Sequence, residues 1–210
     1  VDTAINAILS ASRPHSFLGI NSDGRTAVIR TRGNRYGHLV LRGGGDRPNY
    51  DTVSVAMAEK ALAKARLAEN IVVDCSHANS FKKPELQPLV MQDCVNQIRA
   101  GNNSIVGMMI ESFIEAGSQP IPADRSKLKY GCSITDACVD WATTEHMIRD
   151  ARAALAELRS PLIRLGVRLE AILAEPPDWL DGPGRARIEG ARHSLAWRID
   201  LIAAWEALLE

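Results

Sequence analysis

The stretch of residues 71–80 reads Ile-Val-Val-Asp-Cys-Ser-His-Ala-Asn-Ser, an apolar run followed by small polar residues. Its first four residues have the composition of a strand, and the polar residues after them place His77 just past the strand end. Leu41-Arg42-Gly43-Gly44 and the segment 106–112 repeat this plan, with Arg42 and Glu111 at the strand ends. Arg42 and His77 are 35 positions apart, and His77 and Glu111 are 34 apart. Such intervals fit strand-helix units of a parallel α/β barrel, whose catalytic groups lie at the C-terminal ends of the strands.

A fourth segment, residues 133–138, adds Asp136 from a loop. One histidine and two carboxylates that converge would make a metal site of mixed nitrogen and oxygen character. Arg42 beside them would suit a phosphate, because the planar guanidinium matches phosphate geometry. Each residue also has a plainer interpretation. His77 could be a hydrogen-bonded loop residue, Glu111 a solvated carboxylate, Asp136 a helix N-cap and Arg42 an ordinary strand-end arginine.

These segments, together with others in the same order, closely resemble the microbial class I 3-deoxy-D-arabino-heptulosonate 7-phosphate (DAHP) synthases. The resemblance covers roughly residues 1–155 and corresponds to the C-terminal portion of the family's barrel. The related sugar-acid synthases that use arabinose 5-phosphate fit these motifs less well. The other matching segments are residues 1–6, 14–19, 33–34, 48–50 and 130–141.

The resemblance implies part of a (β/α)8 TIM barrel, followed by an all-α helical tail. It implies an aldol-type condensation of phosphoenolpyruvate with erythrose 4-phosphate, the first step of the shikimate pathway to the aromatic amino acids. His77, Glu111 and Asp136 would act as catalytic metal ligands for Mn, Fe, Co or Zn. Arg42 would bind substrate phosphate.

Four family segments have no counterpart in the chain: Gly-Pro-Cys-Ser with the fourth metal ligand, Lys-Pro-Arg-Thr, Gly-Ala-Arg-Thr and Lys-Asn-Gly-Thr-Asp-Gly. We therefore expect the second part of a barrel, inactive by itself. It would need the missing N-terminal half or a partner protomer, and would form a homo-oligomer. Phe113 and Cys132 depart from the family's usual residues. The alternative is a non-catalytic, truncated or fused remnant that acts as a helical interaction module.

Composition sets only broad bounds. The 210 residues are 46% hydrophobic and 24% charged, with a formal net charge of zero, which is ordinary for a soluble globular protein. This balance gives no electrostatic case for nucleic acid or for an anionic membrane. No apolar run approaches the roughly 20 residues that span a bilayer. The four cysteines are isolated, which favours a reducing, cytoplasmic setting.

The hydrophobic pattern predicts alternating strands and helices up to about residue 155, and helices alone thereafter. We divide the chain into a barrel-like domain, 1–155, and a helical hairpin extension, 156–210. Five leucines and one isoleucine at heptad-like spacing lie between Leu155 and Ile172, with a break predicted at Ser160-Pro161. The predicted helices are 2–12, 51–67, 84–100, 143–159 and 184–209, and the predicted strands are 16–20, 26–31, 38–41, 71–74 and 105–110.

Overall fold

The computed structural model describes residues 1–174, 185–193 and 196, with main chain alone for 158–174. The chain divides into two compact units, one formed by Val1–Val90 with Ser104–Glu111, the other by Met91–Asn103 with the described residues from Ser112 onward. The helices are α1 (Asp2–Ala11), α2 (Thr52–Lys64), α3 (Gln87–Ala100) and α4 (Trp141–Ala174). The strands are β1 (Ser16–Ile20), β2 (Thr26–Arg30), β3 (Leu39–Leu41), β4 (Ile71–Asp74) and β5 (Ile105–Met109).

A three-stranded parallel sheet lies in the first unit, with β4 between β3 and β5. Leu39, Leu41, Ile71 and Val73 of β3 and β4 are at most 1% exposed. Val40, between Leu39 and Leu41, is 45% exposed, so alternate residues of β3 face the core and the surface. Because the strands are parallel, their carboxyl ends meet at one edge, and Arg42, His77 and Glu111 follow these ends in sequence. The α/β character is confirmed, and the partial barrel stays a prediction.

The predicted hairpin is confirmed as β1 and β2, which pair antiparallel from Ser16↔Arg30 to Ile20↔Thr26. Its turn is built by Asn21, whose side-chain oxygen accepts hydrogen bonds from the N–H groups of Asp23 and Arg25. Gly24 has φ +74°, a left-handed conformation that glycine adopts without steric penalty.

Helix α2 begins one residue after the start of the predicted helix 51–67 and ends at Lys64, three residues before its predicted end. The Asp51 carboxylate accepts hydrogen bonds from the N–H groups of Val53 and Ser54 and from the Ser54 hydroxyl. Helix α3 starts later than predicted, at Gln87, because Pro84–Leu86 form a separate 3-10 turn. The tighter turn begins with a proline, whose fixed φ suits the first position of a helical turn.

Helix α4 corrects one prediction. It runs from Trp141 to Ala174 without a break at Ser160-Pro161, so the predicted division of this helix is wrong. A proline inside a helix removes one hydrogen bond and costs about 3 kcal/mol. Strong helix formers such as Leu, Ala, Arg and Glu predominate on both sides of it and offset that cost.

The C-terminal tail is described in part. Residues 185–193 and 196 are helical, in agreement with the predicted last helix. The remainder of that helix and the turns predicted at 176–177 and 182–184 lie outside the described residues. The domain division at 155/156 also stays a prediction. No helix in the described ranges is long and apolar enough to cross a bilayer.

We predict that Asp51→Ala lowers the free energy of unfolding by about 1 kcal/mol, because three hydrogen bonds at the start of α2 are lost. These bonds, that of the Ser54 hydroxyl foremost, also hold the pKa of Asp51 below its ordinary 3.8. The difference between wild type and variant should therefore be fully present above about pH 3.8, and should vanish as the pH falls through the lower folded-state pKa.

Urea unfolding across this pH range is the measurement, with Glu69→Ala as the control for loss of an exposed carboxylate. A difference that does not change between pH 7 and pH 2 would contradict the assignment of the cap.

Candidate metal centre

His77 lies in a loop whose shape is fixed by the residue at the end of β4. Asp74 is 2% exposed, and its Oδ1 accepts a hydrogen bond from the N–H of Ser76 at 2.8 Å. The other carboxylate oxygen, Oδ2, lies 2.7 Å from Nδ1 of His77. His77 itself has φ +53°, a left-handed conformation in which histidine is enriched among non-glycine residues. The turn thus folds the imidazole back onto the carboxylate three positions earlier.

The second nitrogen of His77 faces Glu111. Nε2 lies 3.5 Å from Oε1 of Glu111, and the two side chains are 17% and 18% exposed. A carboxylate beside Nδ1 favours the proton on that nitrogen, which leaves the lone pair of Nε2 directed toward Glu111. Two electron-rich atoms at this separation repel each other unless a cation lies between them or the imidazole is protonated.

The separation suits a shared cation. Two ligand atoms about 2.1 Å from one ion at a tetrahedral angle are about 3.4 Å apart, close to the observed 3.5 Å. Histidine ligands usually present their second nitrogen to a carboxylate or carbonyl oxygen, as His77 does to Asp74. The described residues of the first unit therefore fit a divalent metal. An imidazolium between two carboxylates is the competing arrangement.

Glu111 is held through its main chain. It follows β5 by two residues, and its N–H donates to Oε1 of Gln87 at 2.9 Å. Its carbonyl accepts a hydrogen bond from Nε2 of the same Gln87 at 3.1 Å. Gln87 is fully buried at the start of α3.

Sequence reasoning missed both supporting residues, Asp74 and Gln87, although each left a signal. Asp74 is the one carboxylate in the strand segment 71–74. Gln87 shares a helical stripe with buried Val90, Met91 and Cys94, and a polar residue on such a stripe needs a buried partner.

A buried asparagine joins the loops after β3 and β4. Nδ2 of Asn79 donates to the carbonyls of Leu41 and Asp74 at 3.0 and 2.8 Å, and its Oδ1 accepts the N–H of Asn49 at 2.8 Å. Asn49 in turn accepts the N–H of Gly43 at 2.7 Å. Asn79 therefore ties the His77 loop to the loop after β3.

Arg42 is brought to this loop by its main chain. Its carbonyl accepts the N–H of Ala78 at 3.2 Å, and its side chain is exposed. Gly43 has φ +71°, and a Cβ on it would lie 2.7 Å from the side chain of Ala78 and from the carbonyl of Arg47. Glycine is thus required for this close approach of the two loops.

Asp136 belongs to the second unit and is exposed in the loop before α4. Two features shape that loop. Gly117 and Cys138 exchange two main-chain hydrogen bonds of 2.8 and 3.1 Å, and the Gln119 side chain bonds to the main chain of Lys129 and Cys132. The inclusion of Asp136 in one site with His77 and Glu111 stays a prediction.

The plainer interpretation of Asp136 as a helix cap is wrong. Helix α4 begins at Trp141, and Asp140 accepts the N–H of Thr143 at 2.7 Å. The Thr143 side chain and N–H lower the pKa of Asp140. The cap is therefore four residues later, at Asp140.

We predict that Asn79→Ala lowers the free energy of unfolding by about 3 kcal/mol. It leaves two buried carbonyls and one N–H without their partner, and each unsatisfied group costs about 1–3 kcal/mol. Chemical denaturation measures the loss, and Asn96→Ala, on the exposed face of α3, is the control. A loss no larger than that of the control would show that the Asn79 contacts do not secure the loops.

Comparison with known proteins gives the family of this chain. Residues 1–149 match the profile of the DAHP synthetase I family. The Tyr-sensitive phospho-2-dehydro-3-deoxyheptonate aldolase of Escherichia coli K12 is 48% identical over 148 residues, which are 70% of this chain and 41% of the relative. The tyrosine-inhibited enzyme of Schizosaccharomyces pombe is 47% identical over 162 residues, 76% of this chain and 44% of the relative.

A solved structure agrees. The phospho-2-dehydro-3-deoxyheptonate aldolase of Francisella tularensis SCHU S4 superimposes with a TM-score of 0.69 at 40% identity, over 73% of this chain and 44% of that chain. The chain therefore spans less than half the length of these relatives. Because the profile match covers well over half of the 210 residues, the chain belongs to the DAHP synthetase I family.

Proposed function

We propose that this chain provides the metal-binding part of a DAHP synthase. The observation that carries the proposal is the His77–Glu111 pair, with Asp74 against the far nitrogen of the imidazole. In this proposal Asp136 joins His77 and Glu111 as the third ligand from this chain. The donor set of one imidazole and two carboxylates accepts Mn, Fe, Co or Zn and does not select among them.

The proposed fold is the C-terminal part of a (β/α)8 barrel over residues 1–155, with residues 156–210 as a helical extension. The sequential order of β3, β4 and β5 in a parallel sheet supports it, because each barrel strand pairs with the next in sequence. The polar residues at the carboxyl ends of these strands support it further, since barrel active sites lie there.

The proposed reaction forms a carbon–carbon bond between C3 of phosphoenolpyruvate and the aldehyde carbon of erythrose 4-phosphate, while one water is consumed and the enol phosphate is released as inorganic phosphate. A bound divalent metal would supply Lewis-acid polarisation of the reacting carbonyl. His77 and Glu111 would hold that ion, Asp74 would keep the imidazole in the ligating tautomer, and Arg42 would bind a substrate phosphate as a fork of N–H donors. In this proposal the chain contributes by positioning the metal ion and a substrate phosphate and by supplying charges that complement them.

Complete chemistry would need the family segments that residues 1–210 do not match, supplied by the same gene product or by a partner. The assembled enzyme would be an oligomer. Its proposed location is the cytoplasm, where the four free thiols of this chain would remain reduced.

One observation favours the second candidate, a helical interaction module. The family match ends at residue 149, yet α4 continues to Ala174. If the chain is a non-catalytic remnant that uses this helix to associate with a partner, we expect no metal binding through His77. Metal binding therefore separates the two candidates.

We predict that the chain binds Mn²⁺ in a calorimetric titration and that His77→Ala abolishes the binding, because one of three proposed ligands is removed. Asp74→Asn should weaken binding about 10–100-fold, the usual effect of removing a partner that orients a ligand. His146→Ala removes an exposed imidazole paired with Asp150 and should leave the affinity unchanged. Binding that survives His77→Ala undiminished would refute the site.

We predict that the purified chain alone forms no DAHP. Addition of the unmatched N-terminal portion of the Escherichia coli relative should restore measurable condensation, because that portion provides the remaining family segments. Arg42→Ala should lower the restored rate at least tenfold, whereas Arg35→Ala, another exposed arginine of the same unit, should not. Ordinary turnover by the chain alone, or equal rates for the two variants, would contradict this division of roles.

A further inference from the structure

The side chain of Gln87 provides hydrogen bonds to the main chain just beyond the end of β5. The last ladder bond on this side joins the N–H of Cys75 to the carbonyl of Met109 at 2.8 Å. The register of β4 and β5 ends at Asp74↔Met109, and Glu111 lies two residues beyond it. Gln87 then takes both the N–H and the C=O of this one residue, at 2.9 and 3.1 Å.

Holding both main-chain groups of one residue fixes the direction of its Cα–Cβ bond. The direction in which the Glu111 carboxylate leaves the chain is thereby set, and that carboxylate reaches within 3.5 Å of His77. Gln87 is itself rigid, because it is fully buried and sits between the 3-10 turn Pro84–Leu86 and Pro88. Loss of these two bonds would leave four polar groups without these partners: the side-chain NH₂ and oxygen of Gln87, and the main-chain N–H and C=O of Glu111. The free-energy cost of leaving them unsatisfied favours the observed arrangement.

We propose that Gln87 is a positioning residue for the metal centre, which acts by clamping the main chain of Glu111 so that its carboxylate and His77 face one ion. The inference rests on the proposed metal site, and it adds a residue outside the ligand set. The clamp itself is a property of the main chain and can be measured without metal.

The test compares two buried glutamines of one helix. Gln87→Met keeps the length of the side chain and removes both bonds to Glu111. Gln97→Met is the matched control, since Gln97 is 7% exposed and its amide donates to Asp93, one turn earlier in α3. For the full 210-residue chain we expect at least tenfold weaker Mn²⁺ binding for Gln87→Met and no change for Gln97→Met, with thermal unfolding recorded for both.

Unchanged Mn²⁺ affinity of Gln87→Met, or equal weakening in both variants, would overturn the inference, because a purely structural role would affect both alike. If Gln87→Met does not fold, Gln87→Glu takes its place. It retains an oxygen acceptor for the Glu111 N–H and loses the donor, so an intermediate loss of affinity is expected and wild-type affinity would be the contradicting result.

Amide hydrogen exchange at Glu111, followed by NMR, tests the clamp separately. We expect this amide to exchange at least tenfold faster in Gln87→Met than in wild type and in Gln97→Met. If the wild-type chain binds no Mn²⁺, the proposed metal site fails and the exchange rates alone decide whether the clamp exists. Equal exchange in wild type and Gln87→Met would overturn it.

Discussion

Buried main-chain groups at the carboxyl ends of the parallel strands need hydrogen-bond partners, and this constraint underlies the rest of the site. A sheet satisfies its own N–H and C=O groups only along the ladder. Beyond it, the side-chain amides of Asn79 and Gln87 take over, for Leu41, Asp74 and Asn49 in one case and for Glu111 in the other. Both amides are at most 2% exposed, so water does not compete for these bonds.

The hydrogen bonds of Asn79 help to hold the loop 77–82 in a conformation with three left-handed residues. His77, Phe81 and Lys82 all have φ between +52° and +58°, which costs about 1–2 kcal/mol for each non-glycine residue. The loop closes with a 2.7 Å bond from the N–H of Lys82 to the carbonyl of His77. In this conformation the His77 imidazole lies between Asp74 on one side and Glu111 on the other.

The sequence predicted the parts of the site that depend on local pattern. Strand β4 occupies the predicted residues 71–74, and His77 and Glu111 lie together because parallel strands bring their carboxyl ends to one edge. Gln87 could not be assigned, since its two bonds reach a residue 24 positions away and depend on how α3 packs. The break predicted at Pro161 was wrong for the opposite reason. The local preference of proline against a helix interior was outweighed by the helix formers around it. Asp136 was an ambiguous N-cap until the start of α4 at Trp141 removed that interpretation.

We propose that His77 and Glu111 face each other across a shared metal ion. X-ray diffraction from crystals of the chain soaked in Zn²⁺, with data collected on both sides of the zinc absorption edge, tests it most directly. We expect an anomalous peak about 2.0–2.2 Å from both Nε2 of His77 and a carboxylate oxygen of Glu111, with Nδ1 still against Asp74. A peak elsewhere, with the imidazole hydrogen-bonded between the two carboxylates, would contradict it.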